Sequence, residues 1–157
     1  MIAANHEDPP QPELTASPEL TASEIYVLDA SAAVEYLLER PAGARVAAVI
    51  AGVRLIAPDT LDSEVMSALR NRVLQGLIDE ARAVKALTDL DAMPVERISS
   101  RTFIPLAWRY YHNITAYDAL YVAAAKAHGA TVLTCDGHLI RAPASVLDVP
   151  VRNIPIV

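Results

Sequence analysis

The stretch TAYDALYVAAAKAHGATVLTCD, residues 115–136, decides how this chain folds. Thr115 and Asp118 have the spacing of a capping box, and the alanine-rich run behind them ends at Gly129, so the first part reads as a helix. TVLTC, residues 131–135, shows no alternation of polar and apolar side chains and reads as a strand buried on both faces. A helix feeding such a strand is the repeating unit of a parallel sheet covered on both sides.

The same alternation runs outward from this stretch. IYVLD at 25–29 is a buried strand, SAAVEYLLER a helix opened by Ser31, and AGARVAAVIAG a second helix closed by Gly52. RLIAP supplies the next short strand. Asp59 or Thr60 can cap the helix that runs through EVMSALRNRVLQ to Gly76, and DEARAVKALTDLDAM forms a further amphipathic helix stopped by Pro94. VERIS is a strand, RTFIPLAWRYYHN a helix perturbed early by Pro105, and VRNI a last short strand. The expected fold is α/β, a three-layer α/β/α sandwich around a central parallel sheet.

Ahead of Ile25 the character changes. Residues 12–17 and 18–23 repeat PELTAS verbatim within a stretch rich in Pro, Ser, Thr and Glu, which offers too little apolar surface to offset the entropy of ordering it. The expectation is a flexible tail over 1–24 and one domain over 25–157. With 157 residues and 53% hydrophobic composition, that domain can bury a core of ordinary size. Cys135 is the only cysteine, so there is no disulfide framework and no paired-cysteine zinc spacing. The sequence contains no apolar run of membrane-spanning length and no Lys or Arg before Ile25, so neither a membrane span nor a secretory n-region is expected, and the expected location is the cytoplasm.

The net charge of −6 argues at first against a nucleic-acid partner. Five of the 19 acids lie in residues 1–24, however, leaving 14 acids against 13 bases from Ile25 onward. If four of those acids are neutralised by a cation the balance becomes 10 against 13, which permits a phosphate-backbone partner. Arginine makes up 11 of the bases, and its fork suits bidentate phosphate contacts, although base composition of the genome explains an arginine excess equally.

The four acids are Asp29, Glu64, Asp118 and Asp136. Asp29 and Asp136 directly follow strand runs, where ligands gather at the carboxyl ends of a parallel sheet. Glu64 and Asp118 lie near helix N-termini, where the dipole favours negative charge. Carboxylates converging this way repel by roughly 4 kcal/mol for a pair about 4 Å apart at an effective dielectric near 20, unless a proton or cation intervenes. Each also has a local role open to it: Asp29 a turn residue, Asp136 before Gly137 a turn or N-cap, Asp118 the partner of Thr115, and Glu64 a dipole-stabilised acid with Asp62 as its rival. Ser31 and Thr134 could reach a metal-bound water, but no histidine stands at a spacing that would make either a nucleophile. Arg109-Tyr110-Tyr111-His112 has the mixture of charge and aromatics of an RNA stacking platform, or else places its tyrosines in the core. The four histidines, His6, His112, His128 and His138, show no metal-ligand spacing, and Cys135 reads as a small buried hydrophobe.

Taken together, IYVLDASAAVEYLL, APDTLDSEVMSAL, TAYDALYVAAAKAHGATVLTCD and the closing VPVRNI resemble a PIN-domain ribonuclease, specifically a VapC-type toxin of a bacterial toxin–antitoxin pair. The resemblance covers about residues 25–154. It implies a PIN-like fold, one or two Mg²⁺ or Mn²⁺ ions at Asp29, Glu64, Asp118 and Asp136, endonucleolytic cleavage of RNA, a homodimer, and inhibition by a cognate VapB-like antitoxin. The 24-residue extension is longer than such toxins usually carry. Two rival readings follow from the same acids. An Asp-nucleophile phosphatase wants Asp-x-Asp after its first strand, where this chain has Asp29-Ala30-Ser31. A noncatalytic interaction module would use the acids as helix caps and as a contact for a basic antitoxin segment.

Overall fold

The computed structural model describes residues 24–142 and 144–156. The tail read above lies outside the described residues except for Glu24, whose carbonyl accepts from the Arg54 N–H at 3.1 Å and so continues the sheet. The chain runs β1 (Ile25–Leu28), α1 (Ala30–Leu37), α2 (Pro41–Ile50), β2 (Arg54–Pro58), α3 (Thr60–Leu74), α4 (Glu80–Ala92) and β3 (Val95–Ile98). A 3₁₀ turn at Ser100–Thr102, α5 (Ile104–Ala107) and a second 3₁₀ turn at Trp108–Tyr110 follow. The last elements are α6 (Ala116–His128), β4 (Thr131–Thr134), α7 (His138–Arg141), α8 (Ala144–Leu147) and β5 (Val151–Asn153).

All strand pairs are parallel, in the order β3-β2-β1-β4-β5. Val27 sits opposite Ile56 on one side and Val132 on the other. Because successive strand residues face opposite ways, these three apolar residues build one core with α5, α6 and α7. Tyr26, Leu28, Leu55, Ala57 and Leu133 build the other with α1 to α4. The α/β/α sandwich with a parallel sheet is therefore the fold. The chain moves from β1 outward through β2 and β3, then returns to the other side of β1 with β4. The carboxyl ends of β1 and β4 thus flank the point where strand order reverses, and a crevice opens there.

Local chemistry departs from the sequence reading at several element ends. Asp29, not Ser31, is the N-cap residue of α1, and it makes no side-chain capping bond. Asp59 precedes α3 but turns its carboxylate to Ser100, accepting from that residue's N–H at 2.9 Å and from its hydroxyl, which holds β2 to the turn after β3. The stretch 101–113 is not one helix. Pro105 fits only a first helical turn, lacking the N–H that an upstream turn requires, so α5 starts at Ile104 and winds into a 3₁₀ turn that buries Tyr110 while leaving Tyr111 exposed. The second helix stops at Ile50, two residues short of Gly52. Gly129 closes α6 as expected, in the left-handed conformation at φ 60°.

Candidate active site

Four separate elements deliver the four acids to one cleft of about 540 Å³. Asp29 arrives at the end of β1, Glu64 one turn into α3, Asp118 in the first turn of α6, and Asp136 just beyond β4. Ser31, Ser63, Ser67, Asn71 and Tyr117 contribute neutral polar groups to the same walls.

Asp29 is the deepest of the four, 6% exposed. Its Oδ2 accepts from the hydroxyls of Ser31 and, at 2.7 Å, Thr134. The Ser31 oxygen in turn accepts from the Cys135 N–H at 2.9 Å, and the Thr134 oxygen from the Asp136 N–H at 2.9 Å. Each hydroxyl has one proton, and both are committed to Asp29. Ser31 and Thr134 therefore lock the carboxylate across the β1–β4 seam, which is a positioning task and leaves neither poised as a nucleophile. Burial pushes the Asp29 carboxyl above its ordinary range, those hydrogen bonds pull it back, and the charge of Asp118 pushes it up again.

Glu64 is half-buried. The Tyr121 hydroxyl donates to its Oε1 at 3.0 Å, and burial raises its pKa, with the charges of Asp29 and Asp118 acting in the same direction. Its sequence rival Asp62 points elsewhere and pairs with Arg97 at 3.0 Å. Thr115 caps α6, its oxygen accepting from the Asp118 N–H at 3.2 Å. Asp118 reaches back to the Thr115 hydroxyl at 2.8 Å rather than to a backbone N–H, so it caps and faces the cleft at once. Asp136, on the rim, accepts from the His138 N–H at 2.9 Å, while the His138 ring stands 3.9 Å away at the edge of ion-pair range. Asp29, Glu64 and Asp118 thus lie close enough to feel one another's charge, and Asp136 lines the same cleft from its edge.

Sequence reasoning named all four acids but missed three of the residues around them. Tyr121 follows Asp118 by three positions, hence lies on the same face of α6, and that spacing was the available signal. Glu35 and Arg72 also line the cleft, joined at 3.3 Å. Nothing local in the sequence links two residues 37 positions apart.

Among the described residues, no three His, Cys, Asp or Glu side chains close on one point as a ready-made metal cage. The donor set nonetheless fits Mg²⁺ or Mn²⁺. Mg²⁺ takes only one or two carboxylates and keeps most of its waters, and a cation would relieve both the burial and the mutual repulsion that hold Asp29 and Glu64 toward protonation. Cys135 contributes no nucleophile, since burial, with the charges of Glu35 and Asp29, pushes its thiol up to about 11.

Comparison with known proteins agrees with this architecture. The PIN domain family model matches residues 26–144. Ribonuclease VapC12 of Mycobacterium tuberculosis is 39% identical over 113 residues, covering 72% of this chain and 88% of that protein. Ribonuclease VapC1 of the same organism is 40% identical over 119 residues, covering 74% and 90%. In three dimensions the chain is similar to a chain of the VapBC2 crystal structure from Rickettsia felis, with a TM-score of 0.57 at 16% identity, covering 82% of this chain and 98% of that one. PAE2754 from Pyrobaculum aerophilum gives a TM-score of 0.54 at 22% identity, covering 75% and 85%. The chain belongs to the PIN domain family, among the VapC ribonucleases.

Proposed function

We propose that this protein is a divalent-metal-dependent endoribonuclease, the toxin of a VapBC-type toxin–antitoxin pair, acting in the cytoplasm. The observation that carries the reading is the arrival of Asp29, Glu64, Asp118 and Asp136, from four elements far apart in the chain, in one cleft at the sheet's switch point. Names of relatives add the substrate class and the antitoxin: VapC12 and VapC1 are ribonucleases, and the Rickettsia felis structure is a VapBC complex. A cognate VapB-like antitoxin and a homodimer are the partners proposed.

In this reading the four acids hold one or two Mg²⁺ ions, with Mn²⁺ able to substitute. When bound, the metal supplies a Lewis acid for the scissile phosphate and a site for the attacking water. The chain's own residues fix geometry. Ser31 and Thr134 hold Asp29 in one rotamer, Tyr121 holds Glu64, Thr115 holds Asp118, and the His138 N–H holds Asp136. That rigidity keeps the donors in place without reorganisation as charge develops on the phosphate.

Asp29→Asn and Asp118→Asn remove one charge each at nearly constant shape. Cleavage of RNA in Mg²⁺ is expected to fall about a hundredfold or more in either variant, and in wild type treated with EDTA. Full activity in any of the three rejects the metal-bound carboxylate site, and absence of cleavage by wild type in Mg²⁺ favours the noncatalytic interaction module.

A further inference from the structure

The acidic cleft has a feature that metal binding does not explain. Glu35, Arg72 and the polar face of α3 extend it away from the four acids. Glu64, Ala68 and Arg72 follow one another at intervals of four along α3, as do Ser63, Ser67 and Asn71, and all six line the cleft. Among the residues that line it, Arg72 is the one cation, beside five carboxylates when Glu35 is included. Eight residues of helix separate Arg72 from Glu64 by about 12 Å. A cation at that distance serves a different phosphate from one held at the acids.

Glu35 is 1% exposed and carries two guanidinium partners. Arg72 Nη2 donates to its Oε1 at 3.3 Å, and Arg40 Nε stands 3.2 Å from its Oε2. Two arginines on one carboxylate leave the cluster with a net positive charge, so Arg72 is fixed without being neutralised. Its side chain is 25% exposed and spends one N–H on Glu35, leaving donors of the fork for the cleft. Ser67 and Asn71 are neutral donors of the kind that commonly position a phosphate backbone, whereas Ser63 spends its hydroxyl proton on the Thr60 carbonyl at 2.8 Å.

We propose that Arg72 grips a phosphate of the RNA flanking the scissile one, that Ser67 and Asn71 of α3 guide the strand between, and that Glu35 is the positioning residue that aims Arg72. The inference rests on the ribonuclease reading and adds a subsite to it.

Two measurements test it, made on wild type, Arg72→Gln, Glu35→Gln and the Glu35→Gln/Arg72→Gln double variant. The first is cleavage of unfractionated cellular RNA in Mg²⁺. The second is binding of an end-labelled single-stranded RNA of mixed sequence across a salt series, with each protein also carrying Asp29→Asn to prevent cutting. Arg72→Gln is expected to raise apparent KM about tenfold with kcat nearly unchanged, and to lower the magnitude of the salt slope by about 0.7, the loss of one phosphate contact. Glu35→Gln makes the cleft more positive, so charge alone predicts tighter RNA binding, whereas loss of aim predicts weaker binding. If Arg72→Gln fails to fold because Glu35 is left with one partner, the double variant removes the stranded charge and is expected to show the same KM and slope changes. Unchanged KM and slope in the folded Arg72 variant, or tighter binding by Glu35→Gln, overturns the subsite while wild-type cleavage leaves the ribonuclease reading standing. Absence of metal-dependent cleavage by wild type overturns both.

Discussion

Asp29 is the residue on which folding and the proposed chemistry compete. A buried carboxylate held toward protonation by its surroundings destabilises the metal-free fold whenever it ionises. Its folded pKa lies above the ordinary 3.8. The penalty is therefore absent at pH values below about that figure, grows as pH rises toward the elevated folded pKa, and is complete above it. Asp29→Asn has no such titration. In EDTA at pH 7.5 it is expected to melt a few degrees above wild type, on the order of 1 kcal/mol for a chain of this size, with the advantage shrinking as the pH approaches 4. A lower melting temperature for Asp29→Asn in EDTA at pH 7.5 contradicts this account of the site. The acid itself was legible, since an ionised Asp behind an apolar strand needs a partner. Its locking hydroxyls were only half legible: Ser31 and Thr134 stood two residues from Asp29 and Asp136, but their shared grip on Asp29 forms only when β4 pairs with β1.

Among the elements, the α1–α2 corner shows how tightly the cleft's support is packed. Gly43 lies where α2 crosses α1, and a Cβ there would sit 2.1 Å from the Glu35 carbonyl oxygen. Since the obstacle is backbone, Gly43→Ala must push the two helices apart and disturb Glu35, which the cleft uses. We expect a loss of roughly 1–3 kcal/mol, the usual cost of overpacking, read as a lower urea midpoint. An unchanged midpoint would show that the corner is looser than this geometry. Strands and long helices were legible in the sequence because their apolar runs and caps are local. RTFIPLAWRYYHN was misread because helical periodicity continues through residues that actually alternate between 3₁₀ and α turns, and the need to bury Tyr110 is a tertiary demand. Asp59 does stand at the N-cap of α3, but its side chain makes no capping bond, because its preferred donor Ser100 lies 41 residues downstream.

For the whole molecule, parallel order makes the site. Placing β4 beside β1 brings residues from positions 29 and 136 to one seam, and helices α3 and α6 add their acids from either face of the sheet. Alternating strands and helices predicted that class of arrangement, while strand order itself emerges only from packing. On composition alone we propose that residues 1–22 are dispensable. Deleting them is expected to leave both melting temperature and RNA cleavage unchanged; a drop of several degrees would place part of the fold's stability in that segment. Among the described residues no helix is long and apolar enough to cross a membrane.

The central claim is that carboxylates distant in sequence act jointly on one divalent ion. Calorimetric titration of wild type and of Asp29→Asn and Asp118→Asn with Mn²⁺ measures this directly, independently of any RNA. Saturable binding by wild type that is lost or weakened at least about tenfold in both variants is the predicted result; no binding by wild type, or equal binding by all three proteins, would contradict it.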